Sequence, residues 1–417
     1  MTKIAAYQLP QFLKPGDLVR VVATSGALKE LEAFKKGVEI WRSRGYRVEL
    51  GNNWNIRYGY LAGTDTQRRN ALSQAWQDPE CKAILCARGG YGSARLLEDW
   101  RWEVGSRNSE VGSKDVPAER LYRSGGSGRV GDSESGRLGD KEEWGNKGEN
   151  SLITNPKSAV LPEAVPGACG GFAKICGTQS PHAAGIDEVQ AGSAVRRRST
   201  LHFQHNGDQN PKWIVGFSDV TGLLWSLAAI GIGGVHGSVL TTLASEPDWS
   251  IQRLFDCLEG RPLPPLIGKG WGEGKTTGIL LPANLTVATH LLGTFVQPSF
   301  DGAILALEDV AEAPYRIDRM LTQWRMTGAF RGVRGIALGR FSRCDPPMGS
   351  ASWSIEEVLR DRLGDLGIPI VSDLPFGHDG VNAALPVGRI ARLDAEQGTL
   401  DILDNSNEFQ EENDSSQ

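Results

Sequence analysis

Short apolar runs alternate with helix-like segments along the first hundred residues. DLVRVVATS at 17–25 and YRVELG at 46–51 are strand-like, and CKAILCARGG at 81–90 reads as a buried strand followed by a glycine turn. Apolar residues at helical spacing predict helices over 28–45 and 64–79. This β–α–β–α–β order predicts a parallel sheet with helices on its faces.

The pattern is lost between about 103 and 210. This stretch is rich in Gly, Ser and charged residues at 124–150, and in Pro, Ala and Gly after that. Such a composition buries too little apolar surface to offset the entropy lost on ordering the chain. We therefore expect a long, largely disordered insertion within the first domain.

Regular patterns return after residue 210. A proline-rich segment, RPLPPLIG at 261–268, indicates a boundary between two domains. The predicted organisation is an N-terminal α/β domain over 1–255, a linker over 256–269, a C-terminal domain over 270–404, and an acidic disordered tail over 405–417.

Composition and charge narrow the class of protein. The chain has 417 residues, of which 40% are hydrophobic and 23% charged, as is typical of soluble globular proteins. A net charge of -5 offers no concentrated basic surface, so no nucleic-acid partner is expected. No segment approaches the ~20 apolar residues that cross a bilayer, and the N-terminus has no apolar core of signal-peptide length. We expect a cytoplasmic protein without a membrane partner.

Six cysteines are too few for a disulfide scaffold. Cys169, Cys176 and His182 lie near one another in the sequence, but their spacing fits no standard zinc site. We expect free thiols, no metal and no cofactor.

A serine lies where a strand turns into a helix, in WIVGFSDVTGLL at 213–224. Ser218 at this turn would expose its hydroxyl at the sheet edge, beside the N–H groups of the first helical turn. The motif lacks the second glycine of G-x-S-x-G. Ser218 is therefore either a nucleophile or, with Asp219, a helix cap.

A serine nucleophile needs a base and an acid that orients it. His378 lies in a loop of Gly, Asp and Pro, where functional residues tend to collect, although it could be a plain surface histidine. Glu308 ends the apolar strand AILALE, where an unpaired carboxylate is costly. It could equally be an acid at the start of the next helix, as could Glu312.

A glycine-rich loop, RGGYGSARLL at 88–97, follows the third strand. Gly89, Gly90 and Gly92 would let the backbone approach a ligand closely. The spacing fits neither a dinucleotide fingerprint nor a Walker A loop. The loop either supplies N–H donors to a substrate or forms a tight turn into a helix.

Taken together, these segments resemble the LD-carboxypeptidase family of serine peptidases, which also includes microcin C immunity proteins. The matching motifs, in family order, are PGDLVRVVATS, ARGGYGSARLL, GFSDVTGLL, VHGS, NLTVATHLLGT, ALEDVAEAPYRIDRML and FGHDGVNAALPVG. The resemblance implies a flavodoxin-like parallel-sheet N-terminal domain, a β-rich α+β C-terminal domain, and a homodimer. It also implies a catalytic triad of Ser218, Glu308 and His378.

The expected substrate is a murein tetrapeptide, cleaved at the L,D-bond that releases its terminal D-alanine. The backbone N–H groups of Asp219 and Gly90 would form the oxyanion hole. Substrate contacts are expected from Arg88, Gly89, His236 and Asn284. The alternatives are a microcin C immunity-type peptidase acting on an acyl–nucleotide conjugate, and a non-catalytic flavodoxin-like binding protein.

Overall fold

The computed structural model describes residues 7–98, 100–102 and 211–403. The expected insertion and acidic tail, and with them Cys169, Cys176 and His182, lie outside these residues. Within the described residues, no helix is both long and apolar enough to span a membrane.

The described chain forms strands and helices with the following bounds. The strands are β1 Leu18–Val22, β2 Arg47–Leu50, β3 Cys81–Cys86, β4 Trp213–Gly216, β5 Gly234–His236, β6 Leu266–Ile267, β7 Lys269–Gly270, β8 Lys275–Asn284, β9 Ala303–Val310, β10 Gly335–Ser342, β11 Ile370–Ser372, β12 Leu385–Val387, β13 Ile390–Asp394 and β14 Thr399–Ile402. The helices are α1 Leu31–Ser43, α2 Asp65–Gln77, α3 Thr221–Ala228, α4 Leu240–Leu243, α5 Asp248–Glu259, α6 Leu285–Leu291, α7 Pro314–Thr327 and α8 Ile355–Leu363. Two short 3-10 turns span Ala94–Leu97 and Ser218–Val220.

The N-terminal sheet has the strand order β2-β1-β3-β4-β5-β12, and its first five strands are parallel. Strand β4 is buried along its whole length and β3 nearly so, as expected for parallel strands covered on both faces. The 2-1-3-4-5 order is that of flavodoxin-like folds, which confirms the predicted class. In such sheets, ligands bind at the carboxyl ends of the strands where the order reverses, here between β1 and β3.

The C-terminal sheet has eight strands in the order β6-β14-β13-β8-β9-β10-β11-β7. Its centre, from β8 to β11, is parallel, and the outer strands are antiparallel. This mixed sheet confirms the predicted β-rich α+β character of the C-terminal part.

One segment crosses from the second sheet to the first. After β11 the chain leaves the C-terminal sheet, and β12 then pairs antiparallel with β5, with Leu385 opposite His236. The intervening residues, 373–384, include His378. This crossing brings a loop of the C-terminal half to the edge of the sheet that carries Ser218.

Helix α5 continues past the expected domain boundary at residue 255 and ends at Glu259. Its buried face includes Leu254, Phe255 and Leu258, and Gly260 ends it in a left-handed conformation with φ 76°. The expected linker at 256–269 thus begins inside a helix, includes β6 and ends within β7. Where the domains divide remains a prediction.

Candidate active site

Ser218 lies on a sharp turn between β4 and α3. Its φ of 61° is in the left-handed region, which a serine adopts at a cost. Gly216 makes the turn possible, because a Cβ there would lie 2.9 Å from the Val220 side chain and 3.1 Å from Cβ of Cys86. Among the described residues, the Ser218 hydroxyl has no hydrogen-bond partner.

The helix-cap alternative for this turn is wrong. Neither the 3-10 turn at Ser218–Val220 nor α3 has a side-chain cap. The Asp219 carboxylate instead accepts hydrogen bonds from the N–H groups of Gly92 at 3.2 Å and Ser93 at 2.8 Å. Asp219 therefore ties the glycine-rich loop to the serine turn, and tertiary contacts override its local preference for capping.

The glycine-rich loop lies directly against Ser218. A Cβ added to Gly89 would lie 3.4 Å from the Ser218 Cβ and 3.5 Å from its Oγ. Gly90 follows with φ 111°, and the Gly89 carbonyl accepts a hydrogen bond from the Gly26 N–H at 3.1 Å. Within the described chain, the Gly90 N–H has no hydrogen-bond partner. The Asp219 N–H has no intrahelical partner, because Val220 makes the first hydrogen bond of its turn.

Glu308 and His378 are in contact. The Glu308 side chain is completely buried near the carboxyl end of β9, and its Oε2 lies 2.6 Å from Nδ1 of His378. The His378 ring also packs on Phe217, the residue before the serine, with the ring centroids 4.6 Å apart. The histidine is thus held between a buried carboxylate and the serine turn, with Nε2 not engaged by any described residue.

Asn284 and Asp309 surround the Glu308 carboxylate. Asn284 ends β8 opposite Glu308, and its Nδ2 donates to Oε1 of Glu308 at 3.2 Å and to Asp309 at 3.3 Å. Burial raises the pKa of Asp309 to about 6, although hydrogen bonds from Thr286 and the Val310 N–H favour its charged form. Asn284, one of the predicted substrate contacts, is only 4% exposed, and its side chain is hydrogen-bonded to Glu308, the carboxylate that contacts His378.

Glu246 and Asn382 support the His378 loop, and no local sequence pattern marks either residue. Oδ1 of Asn382 accepts a hydrogen bond from the Gly377 N–H at 3.1 Å, and the Asn382 N–H donates to Glu246 at 2.7 Å. The Glu246 carboxylate also accepts from the hydroxyls of Ser238 at 2.7 Å and Ser250 at 2.8 Å. One carboxylate thus joins α5 and the loop after β5 to the loop that carries the histidine.

Two further predicted site residues, His236 and Arg88, occupy different surroundings. His236 is completely buried beside Phe217 and Phe376, which favours a packing role over direct contact with a substrate. Burial lowers its pKa to about 4, and neither ring nitrogen has a hydrogen-bond partner among the described residues. Arg88 is partly exposed beside Gly89 and forms an ion pair with Glu30 at 3.1 Å.

The described cysteines are buried free thiols. They are Cys81, Cys86, Cys257 and Cys344. Over residues 7–98, 100–102 and 211–403, no group of three or more His, Cys, Asp or Glu side chains is arranged to hold a metal ion.

Comparison with known sequences gives two matching family profiles. A profile described as the LD-carboxypeptidase N-terminal domain matches residues 19–116, and one described as the C-terminal domain of the same family matches residues 277–393. A Synechocystis protein named as a carboxypeptidase is 45% identical over 94% of this chain and 97% of its own length. The chain belongs to the LD-carboxypeptidase family. It is accordingly an enzyme of a serine peptidase family.

Three other matching proteins are less similar to this chain than the Synechocystis protein is. The murein tetrapeptide carboxypeptidase of Pseudomonas aeruginosa is 25% identical over 90% of this chain and 92% of its own length. The crystal structure of muramoyltetrapeptide carboxypeptidase from Oxalobacter formigenes has a TM-score of 0.60 at 20% identity, covering 92% of this chain and 97% of that one. The microcin C7 self-immunity protein has a TM-score of 0.62 at 17% identity, covering 95% and 98%. At these identities, the solved structures establish the shared fold.

Proposed function

We propose that this enzyme hydrolyses the L,D-peptide bond that releases the terminal D-alanine from murein tetrapeptides. The observation that carries the proposal is the contact of 2.6 Å between buried Glu308 and His378, beside the strained turn of Ser218. Such an arrangement matches the acid, base and nucleophile of serine hydrolases. The names of the murein-processing relatives point to the same substrate class.

In the proposed reaction, Nε2 of His378 takes the proton of the Ser218 hydroxyl as its oxygen attacks the amide carbonyl. Glu308 holds the Nδ1–H tautomer and stabilises the imidazolium that forms. His378 then gives its proton to the leaving amine of D-alanine. Water, activated by the same imidazole, hydrolyses the ester on Ser218 and regenerates the enzyme.

The negative charge on the carbonyl oxygen needs donors that are in position before the reaction. The N–H groups of Asp219 and Gly90 meet this need, since neither is used by the loop and turn that carry them. We assign the free carboxylate of the terminal D-alanine to Arg88, whose guanidinium lies at the exposed edge of the same loop. Because Arg88 forms an ion pair with Glu30, a substrate carboxylate would have to displace the Glu30 carboxylate from the guanidinium.

We further propose that the enzyme acts in the cytoplasm and as a homodimer. These proposals rest on the likeness to the family and on the composition of the chain. Size-exclusion chromatography with light scattering tests the dimer, and cell fractionation tests the compartment.

The central test is release of D-alanine from a murein tetrapeptide, with a D,D-linked pentapeptide as the comparison substrate. The wild-type enzyme should release D-alanine from the L,D-linked peptide alone. Ser218→Ala should abolish release without altering the circular dichroism spectrum, whereas Ser245→Ala, at an exposed serine, should retain it. Undiminished release by Ser218→Ala would refute the mechanism.

A fluorophosphonate probe separates an enzyme from a binding protein that merely shares the fold. It should label wild-type Ser218 covalently, because the hydroxyl is activated by His378. His378→Ala should react far more slowly. Equal labelling of the two proteins would show that His378 does not activate Ser218.

A further inference from the structure

Two tyrosine rings stand exposed next to each other near the serine turn. Tyr60 is 65% exposed and Tyr91 is 53% exposed. Their ring centroids lie 5.9 Å apart, with the ring planes inclined by 54°. Exposed aromatic surface of this kind commonly marks a place where a ligand is bound, because removing apolar surface from water is energetically favourable.

The two rings come from the loops after β2 and β3, the strands on either side of β1 in the N-terminal sheet. The Tyr60 carbonyl accepts a hydrogen bond from the Ala27 N–H at 2.9 Å, in the loop after β1. Tyr91 belongs to the loop after β3, and the Gly26 to Gly89 hydrogen bond links the two loops. The pair therefore flanks the crevice between β1 and β3, the expected place for a ligand in this topology.

The pair also lies within reach of the nucleophile. Gly89 is in contact distance of Ser218, and the Cα of Tyr91, two residues further on, lies at most about 7 Å from that of Gly89. The position of Tyr91 is supported by Arg95, which interacts electrostatically with it and forms an ion pair with Asp65 at 2.6 Å. The rings are thus near the reacting bond and are not part of the proposed triad.

We propose that Tyr60 and Tyr91 form a subsite that binds the sugar ring carried by a muramyl peptide. This inference rests on the proposed function. In such a substrate, three residues separate the sugar from the cleaved bond, a span of about 10 Å when extended. One face of a pyranose carries apolar C–H groups, which pack favourably on an aromatic ring. The chemistry and the reach of the pair therefore suit the glycan end of the substrate.

The test compares two substrates that carry the same tetrapeptide, one free and one attached to its disaccharide. The quantity measured is the ratio of kcat/KM for the disaccharide tetrapeptide to kcat/KM for the free tetrapeptide. Any general effect of a substitution on folding or on the triad cancels in this ratio. Tyr60→Ala should lower the ratio by about fivefold. The matched control is Tyr58→Ala. Tyr58 lies in the same turn and is 61% exposed, but its ring does not contact that of Tyr91.

A ratio that is the same in wild type and Tyr60→Ala, or that falls equally in Tyr58→Ala, would overturn the subsite. Binding of the two substrates to the Ser218→Ala variant, measured by calorimetry, separates recognition of the sugar from catalysis. If the wild-type enzyme released no D-alanine from either substrate, the proposed function would fail. The subsite would then be decided by binding alone: the ratio of the affinities for the disaccharide tetrapeptide and the free tetrapeptide, compared between Ser218→Ala and the double variant that also carries Tyr60→Ala.

Adenosine monophosphate is the further probe. A larger effect of Tyr60→Ala on the binding of this nucleotide than on the binding of the disaccharide peptide would overturn the assignment to a sugar.

Discussion

Nδ1 of His378 lies 2.6 Å from a completely buried oxygen of Glu308, across a separation of seventy residues in the chain. This contact leaves Nε2 of His378 as the ring nitrogen available to Ser218. Because the carboxylate is out of contact with water, its charge acts on the imidazole with little screening. In the proposed reaction, the pair would therefore select the histidine tautomer and stabilise the imidazolium.

Glu308→Gln should lower kcat about 10³- to 10⁴-fold, because a neutral amide neither fixes the tautomer nor stabilises the imidazolium. The measurement is the rate of D-alanine release at saturating substrate. Glu312→Gln is the control, since Glu312 forms an ion pair with Arg316 at the surface. A loss of less than tenfold in Glu308→Gln would mean that Glu308 does not act through His378.

Ser218→Gly should be more stable than Ser218→Ala, although both should be inactive. The φ of 61° is strained for alanine and unstrained for glycine. We expect the free energy of unfolding of the glycine variant to be about 1 kcal/mol higher, as measured with denaturant. Equal stability, or a more stable alanine variant, would contradict the left-handed conformation of this residue.

Much of the candidate site could be predicted because its residues interrupt strong local patterns. Ser218 follows a wholly apolar strand, and Glu308 lies near the end of another. His378 falls in a segment with two glycines nearby. A polar residue at such a place is conspicuous in sequence, since strand burial and turn chemistry are local properties. The parallel order of the first sheet was predictable for the same reason.

The features that could not be predicted depend on contacts between distant parts of the chain. Asn382 and Glu246 are 136 residues apart, and nothing in the local pattern of either predicts their hydrogen bond. Strand β12 has only three residues, too few for a periodic signal, so its place in the first sheet could not be read from the sequence. Asp219 shows the same limit, because a cap is its local preference and the glycine-rich loop takes its carboxylate instead.

Glu246 is expected to act as a positioning residue for the His378 loop. Glu246→Gln keeps the size of the side chain but replaces one acceptor oxygen with a donor group, facing the donors of Ser238, Ser250 and Asn382. The histidine loop should then lose its fixed position relative to Ser218. We expect kcat to fall by about tenfold while KM changes less than about twofold.

This split between kcat and KM distinguishes positioning from a general loss of structure. Glu259→Gln is the comparison, because Glu259 also accepts a hydrogen bond at α5, from Tyr46 at 2.6 Å, and has no contact with the loop. Both variants should unfold at similar temperatures. If kcat fell equally in the two variants, Glu246 would have only a structural role.

The stability of the enzyme is expected to contain two opposite pH-dependent contributions near the site. Burial lowers the pKa of His236 from 6.5 to about 4 and raises the pKa of Asp309 from 3.8 to about 6. Over this range the unfolded chain holds a proton on His236 that the folded chain lacks, and the folded chain holds one on Asp309 that the unfolded chain lacks. As pH falls, the histidine therefore destabilises the fold and the aspartate stabilises it, each by about 1.4 kcal/mol per pH unit.

His236→Phe removes the first contribution, and the new ring can pack between Phe217 and Phe376. Relative to wild type, its free energy of unfolding should rise by about 3 kcal/mol as the pH is lowered from neutral to the folded-state pKa of His236. Asp309→Asn should show the opposite trend and lose stability relative to wild type over the same titration, because it cannot take up the proton that stabilises the folded chain. Denaturant unfolding at a series of pH values measures both. A His236→Phe curve that ran parallel to wild type throughout would mean that His236 takes up its proton as readily in the folded as in the unfolded chain, and so has access to water or to an acceptor.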